Sequence, residues 1–411
     1  MTRAKIAIIG QNFAPEPSGN APYTTSLARG LAVRHSVRVI TAQPYYPGWR
    51  VLPGYRTWSR SEREPSLRID RKLHYVPKQP SLVRRLLSEI SFGVRAIASR
   101  WGRPDVVVLV SPSLFACALI APVARLRGLP TVLWVQDLYT RGLEETGQST
   151  GVASKIMRVV ESAVLRTVDK VVVIHESFAR FVTDDLDVPS ERVTIIRNWS
   201  HIDISVTPAD RETTRSNMGW GPEDVVVLHA GNMGIKQGLS NVVAAARAAD
   251  DRGSHVHFVL LGGGSQLLEL QRRAAGVSRI QFISSLSDDE FGAVLQAADV
   301  LLVNELRGVS GMSVPSKLTS YFATGLPVLA AVEPGSVTEA EIQSSGGGVV
   351  VPSGDPLALL DAAELLGVDQ HTSNRLGSAG QKFRDEHLTQ RAGIERFQSA
   401  IETLIEEGPA V

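Results

Sequence analysis

Cysteine is almost missing from this sequence of 411 residues: Cys117 stands alone inside an apolar run, so no internal disulfide or cysteine zinc site is available within one chain. A reducing cytoplasm is the expected setting. An excess of one charge is missing too, since 43 Lys and Arg face 42 Asp and Glu for a net charge of +1. That balance excludes the basic character of a dedicated nucleic-acid binder, and no block of like charge marks a disordered tail. Before Gly10 the only apolar stretch, Ile6 to Ile9, is too short for a signal-peptide core, so export is not expected. The nineteen uncharged residues from Val106 to Ala124 approach a membrane span in length. Ser111, Pro112 and Ser113 interrupt them and Pro122 lies near their end, so they read as a buried strand Val106 to Val110, a turn and a buried helix from Leu114. His255 and His257 are spaced as on a strand face, no His-x-x-x-His pair with carboxylates occurs, and no Gly-x-Ser-x-Gly elbow is present. Neither a metal site nor a catalytic triad is expected.

Short runs rich in Val, Ile and Leu fill the chain, each followed by a longer segment of helical periodicity, which is the α/β signature. The first half offers Ile6 to Ile9, Val37 to Thr41, Val106 to Val110, Thr131 to Val135, Val171 to Ile174 and Val193 to Ile196. The second offers Val225 to His229, His257 to Leu261, Ile280 to Ile283, Val300 to Val303, Pro327 to Val332 and Gly348 to Val351. Two doubly wound, Rossmann-like domains are predicted, residues 1–205 and 206–385, with the boundary in a polar stretch. Residues 386–411 are predicted to form a helix returning to the first domain. Ligands of such sheets bind beyond the carboxyl ends of the strands, so a cleft between two facing domains is expected to hold the chemistry.

Four glycine-bearing turns stand at those ends. The first strand runs into a long Pro/Gly loop from Gly10 to Gly19-Asn20, suited to an anion or to an ordinary connection. Gly231-Asn232-Met-Gly234-Ile-Lys236-Gln237-Gly238 sets three glycines and a lysine at a strand-to-helix turn, a plausible diphosphate cradle. It lacks the Gly-Lys-Ser/Thr ending of a P-loop. Gly262-Gly263-Gly264 closes the next strand. Pro315-Ser316-Lys317 opens a short helix that stops at Gly325-Leu-Pro327; a lysine there opposes the helix dipole and suggests an anionic ligand, the alternative being a solvated side chain. Lys78, Arg84, Arg85, Arg95, Arg100 and Arg103 against Glu89 make the segment from Lys78 to Arg103 basic. Leu82, Leu86, Ile90, Val94 and Ile97 recur there at helical spacing, as in a helix resting on an anionic membrane or one packed on its own domain.

Together with Pro44-Tyr45-Tyr46-Pro47-Gly-Trp49, Tyr75-Val-Pro77-Lys78-Gln-Pro80, Gln136-Asp137, Asn198-Trp199-Ser200 and Pro315-Ser316-Lys317-Leu318, these segments resemble retaining glycosyltransferases of the two-domain GT-B type, sequence family four. Within that family they are similar to the branch of colanic-acid and fucosaminyl transferases. The resemblance implies a nucleoside diphosphate sugar as co-substrate, no metal or other cofactor, and a saccharide acceptor. The basic helix adds the expectation that this acceptor is carried on a polyprenyl diphosphate and that the protein is peripheral on the inner face of the cell membrane, with Lys78 to Arg103 meeting the anionic surface.

Carried over by position, Lys236, Lys317 and Asp137 would be catalytic. Gly231, Asn232, Gly234, Gln237, Gly262, Gly263, Ser285, Leu286, Ser316 and Ser320 would hold the donor, with Gly19 and Asn20 closing from the first domain. Tyr45, Tyr46, Asn198 and Trp199 would meet the acceptor. The chain departs from the family pattern in three places. Asn232 and Gln237 stand where an Arg and a Lys are usual, Met312 and Ser320 fall on a usual pair of glutamates, and Trp134 occupies a frequent histidine position. Two alternatives stay open on these residues: a non-catalytic partner that binds nucleotide or glycan, and an enzyme of the same fold that epimerises a nucleotide sugar or glycosylates a soluble acceptor.

Overall fold

In a computed structural model, which describes residues 3–17, 19–79, 81–140, 152–199, 208–308 and 317–408, the apolar runs become strands of two sheets in two separate units. One unit comprises Met1–Trp199 and Gln390–Val411, the other Ser200–Thr389. The expected boundary at 205 and 206 lies outside the described residues.

In the first unit β1 (Lys5–Ile9), α1 (Ala21–Ala32), β2 (Ser36–Ala42), β3 (Ser59–Glu64), β4 (Leu67–Lys72), α2 (Leu82–Ile97), β5 (Val106–Ser111) and α3 (Leu114–Leu126) are followed by β6 (Thr131–Val135), α4 (Val152–Thr167), β7 (Lys170–Val173), α5 (Glu176–Arg180) and β8 (Val193–Ile195). The sheet order is β3-β4-β2-β1-β5-β6-β7-β8, parallel except for the antiparallel pair β3 and β4. Ile6, Ile8, Val37, Val39, Val106 and Val108 share one core with Leu27 and Leu31 of α1. The intervening Ala7, Ile9, Val107 and Leu109 are equally buried and turn to the opposite face, as strand alternation requires. There α3 packs between α2 and α4. The uncharged run thus ends as β5 and α3, with Pro122 inside the helix, and among the described residues no helix is long and apolar enough to cross a membrane.

Two strands of this sheet carry no apolar run. The β3 sequence, Ser-Arg-Ser-Glu-Arg-Glu, lies on the sheet edge, where charge blocks pairing with other chains and costs no burial. Neighbouring β4 alternates Leu67 and Ile69, both in the core, with charged residues; Arg71 pairs with Glu62 of β3 at 3.0 Å.

The last helix of the chain completes this unit. Phe397, Ile401 and Leu404 of the helix Gln390–Glu407 enter the same core as β1 and α1, each contributing about 1.5–3 kcal/mol of burial. Gly393 lets it close on Trp199: a β-carbon there would stand 2.2 Å from the indole.

The second unit contains α6 (Pro208–Met218), β9 (Val225–Asn232), α7 (Ser240–Arg252), β10 (Val256–Gly263), α8 (Leu267–Arg273), β11 (Ile280–Ile283), α9 (Asp288–Ala297), β12 (Val300–Asn304), α10 (Lys317–Ala323), β13 (Val328–Val332), α11 (Val337–Ser345), β14 (Gly348–Pro352), α12 (Pro356–Val368) and α13 (Gln370–His387). The helix Gln390–Glu407 is then α14. Its parallel sheet runs β11-β10-β9-β12-β13-β14, the doubly wound order whose direction reverses between β9 and β12. Here the six strands match the six apolar runs.

Candidate functional site

At the reversal point of the second sheet, β9 and β12 part early. Their pairing covers Val300↔Val227 and Leu301↔Leu228, whereas β9 stays paired with β10 as far as Gly263↔Asn232. The fully buried Tyr321 of α10 fills the gap. Its hydroxyl accepts from the Ala230 N–H at 2.9 Å and lies 3.3 Å from the Leu302 carbonyl, replacing a ladder bond the strands no longer make. Tyr321→Phe would leave both groups without this partner and is expected to lower the unfolding free energy by about 1–3 kcal/mol. An unchanged urea midpoint and slope would refute that role.

Above the gap lies a turn built for close backbone approach. Gly231 and Gly262 have φ of 134° and 130°, and a β-carbon on Gly262 would come within 2.2 Å of the Gly231 carbonyl oxygen. The loop is also tied internally. The Gly234 N–H donates to Gln237 Oε1 at 3.0 Å, the Gln237 carbonyl accepts from Asn304 Nδ2 at 2.8 Å, and Asn304 Oδ1 accepts from Asn241 Nδ2 at 2.9 Å. The Gln237 side-chain oxygen therefore shapes the loop itself. Asn232 and Lys236 are exposed, the latter on the 3-10 turn Ile235–Gln237.

Lys317 begins α10, half-buried, with its Nζ 3.9 Å from where a Gly231 β-carbon would stand. Burial lowers its pKa to about 8, against the opposing pull of Glu305. The Glu305 carboxyl ends up above its ordinary range because it is partly desolvated just past β12, half-buried, although it accepts a 2.6 Å hydrogen bond from the Thr338 hydroxyl and feels Lys317. Beneath them the wholly buried His229 is held far below its usual pKa by desolvation and then by Lys317. An ammonium whose pKa is lowered by burial, beside a glycine turn, suits an anionic ligand whose charge would raise that pKa again. The structure thus brings Gly231, Gly262 and Lys317 together, with Gly263 at the end of β10. Ser320 is buried within α10, Ser285 is exposed after β11, and Leu286 packs half-buried against the core. Ser316 and Met312 lie outside the described residues.

In the first unit the predicted residues gather past the carboxyl ends of the strands. Asn20 precedes α1 and donates to the Ser111 carbonyl at 3.4 Å, while Gly19, whose φ of 68° favours glycine, lies beside the Tyr46 ring. The buried Glu16 accepts from the N–H groups of Tyr45 and Tyr46, both at 2.8 Å, and from Asn12 at 2.9 Å; desolvation outweighs these bonds and raises its pKa. Tyr45 is buried edge-on against Trp49 and His74, and burial pushes its phenol pKa up. Asp137 is exposed just past β6, where its Oδ1 accepts from the Leu138 N–H at 2.9 Å, and Asn198 donates to Gln136 at 2.8 Å.

Trp199 leaves the acceptor set. It is fully buried, stacked on Trp134 and edge-on to Tyr23, and its indole N–H donates to Ser26 at 2.9 Å, so its surface belongs to the core. Trp134 is equally buried against Phe397, which places its ring in the core as well. Glu16, Glu305 and Tyr321 escaped the sequence reading. Glu305 was the most findable, as the carboxylate directly following the buried run from Val300 to Asn304.

The basic helix α2 turns Ser88, Glu89, Phe92, Gly93 and Ala96 inward and exposes Val83 (64%), Leu87 (50%), Ile90 (39%) and Val94 (55%). The outward stripe is therefore rotated by about one residue from the predicted one, since Leu86 and Ile97 are half-buried. Lys78, Arg84, Arg85, Arg100 and Arg103 are exposed. Arg95 is engaged internally, donating to the carbonyls of Leu73 and Trp58 and lying 3.7 Å over the Trp58 ring.

Residues 18–199 match the glycosyl transferase 4-like domain, and residues 210–383 match glycosyl transferases group 1. The chain is 35% identical over 333 residues to the "Putative colanic acid biosynthesis glycosyl transferase WcaI" of Escherichia coli (strain K12), spanning 78% of this chain and 81% of that protein. Among solved structures it is similar to sucrose-phosphate synthase from Thermosynechococcus elongatus, with a TM-score of 0.76, 16% identity, and coverage of 99% of this chain and 100% of that one. It is also similar to Anabaena HepE in complex with UDP, with a TM-score of 0.73, 14% identity, and coverage of 97% and 100%. Matched in both halves by these domains, and paired at full length with GT-B structures, the chain belongs to the glycosyltransferases of sequence family four.

Proposed function

We propose that this glycosyltransferase moves a sugar from a nucleoside diphosphate donor, held by the second unit, to a hydroxyl of a lipid-linked saccharide bound by the first, in the assembly of a polysaccharide. The observation that carries the reading is the glycine turn of Gly231 and Gly262 with Lys317 against it, at the reversal point of a doubly wound sheet. Lys317 and the exposed Lys236 supply countercharge to the departing diphosphate in place of a metal ion. The acceptor hydroxyl then attacks from the face the diphosphate leaves, retaining the anomeric configuration. UDP in the similar Anabaena structure and the colanic acid name of the Escherichia coli relative favour this donor class and this pathway type.

The lipid part rests on α2. Four apolar side chains stand outward beside Arg84 and Arg85, with Lys78 close by in sequence. At about 1 kcal/mol per basic residue near an anionic leaflet, a few such contacts give reversible attachment to the inner face of the cell membrane.

The test is a thermal-shift series with UDP, GDP, ADP and dTDP. One of them, at a hundredfold excess over its Kd, is expected to raise the melting temperature by about 5–10 °C. A flat response to all four would defeat the donor assignment.

A further inference from the structure

Glu89 sits on the inward face of α2, directly behind the exposed apolar stripe, and is buried. Its Oε1 accepts from the Tyr139 hydroxyl, and its Oε2 accepts from the Phe115 N–H at the start of α3, at 2.9 Å. Tyr139 lies two residues after Asp137. A second buried carboxylate, Glu161 of α4, accepts from the N–H groups of Tyr139 and Thr140 at 2.8 and 3.0 Å. Segment 137–140 is therefore gripped by carboxylates from two helices, one holding its backbone and the other holding Tyr139 by its side chain.

The two grips differ in what they can transmit. Glu161 fixes main-chain groups, whereas Glu89 is attached to α2, the helix whose outer side presents Val83, Leu87, Ile90 and Val94. We infer that Glu89 is a positioning residue for the acceptor site: through Tyr139 it sets the segment that carries Asp137, and it passes the seating of α2 on an anionic membrane to that segment. This rests on the membrane reading of α2 given above. A close-packed interior favours such transfer, because a helix displaced at its outer face cannot keep a buried hydrogen bond unchanged on its inner one.

Hydrogen exchange with phosphatidylglycerol vesicles tests it on the full-length protein, without knowledge of donor or acceptor. In the wild type the vesicles are expected to slow exchange over α2 and to shift exchange at residues 138–140 by about fivefold or more. In Tyr139→Phe, which keeps both Glu161 bonds, the α2 protection is expected to persist while the response at 138–140 disappears. Glu89→Gln, whose amide can turn its oxygen to the Phe115 N–H and donate to the phenol oxygen, is expected to keep that response. Protection over α2 with no change at 138–140 in the wild type overturns the coupling alone. So does a wild-type response in Tyr139→Phe. If vesicles protect nothing over α2, the membrane reading falls and the coupling falls with it. The wild-type arm depends on no variant folding.

Discussion

Lys317→Ala is expected to lower kcat/KM by about 30- to 1,000-fold, a loss of about 2–4 kcal/mol of transition-state stabilisation. The ammonium lies against the Gly231 turn, and Glu305 is the carboxylate that stabilises its charge. Removing it leaves the leaving diphosphate facing backbone groups and the exposed Lys236. The same residue sets a pH signature. With a folded pKa of about 8 against an ordinary 10.5, Lys317 holds fewer protons in the folded protein than in the unfolded chain across that interval. It therefore adds stability as the pH rises from about 8, and its full desolvation penalty is present below. A bound diphosphate reverses the preference and draws the proton back. Nucleoside diphosphate affinity should then weaken as the pH climbs past about 8 in the wild type and change far less in Lys317→Ala. Calorimetry in two buffers of different ionisation enthalpy reads the proton uptake. Wild-type turnover in the variant, or equal uptake in both proteins, would remove Lys317 from the leaving-group site.

Gly262→Ala carries the second large expected effect. Its β-carbon would stand 2.2 Å from the Gly231 oxygen, a backbone atom that no rotamer can move aside, at a φ of 130° that side chains rarely adopt. Overpacking and backbone strain together are expected to cost about 2–5 kcal/mol of stability. Relief would have to come from pushing β9 away from β10 where they carry the turn. Nucleotide response in the thermal-shift series should therefore vanish along with the lowered melting temperature. Gly263→Ala is the control, since nothing lies within 4 Å of its β-carbon position and its φ is outside the strained range. Equal behaviour of the two variants would show that close approach at Gly262 does not shape the site.

Legibility differed between the units for physical reasons. The inner strands of the second sheet are buried and must be apolar, and its half-buried edge strands β11 and β14 still carry apolar runs, so all six were visible, and the glycines of its turn pointed to the site. The edge strand β3 needs no apolar residues and left no run to read; β4 showed only Leu67 and Ile69 among charges. Motif position placed Asp137 at an exposed strand end but also placed Trp199 there, because local sequence does not reveal that an indole turns inward against Gly393. Glu16, Glu89 and Tyr321 were hidden for a related cause: each acts through a partner distant in the chain. The Tyr321 hydroxyl gains its role from a separation of β9 and β12 that only the assembled sheet contains.

The return of α14 to the first unit sets an order of construction. Phe397, Ile401 and Leu404 belong to the same core as Ile6, Val37 and Val106, yet they are synthesised after every residue of the second unit. The second unit, an unbroken stretch of chain, can complete its interior while the ribosome is still translating. The first must wait with one wall open, the flank of α1 and the indole of Trp199 uncovered until α14 arrives. The strands β1, β2 and β5 are thus made before the second unit yet sealed only after it, once α14 has emerged to close their core.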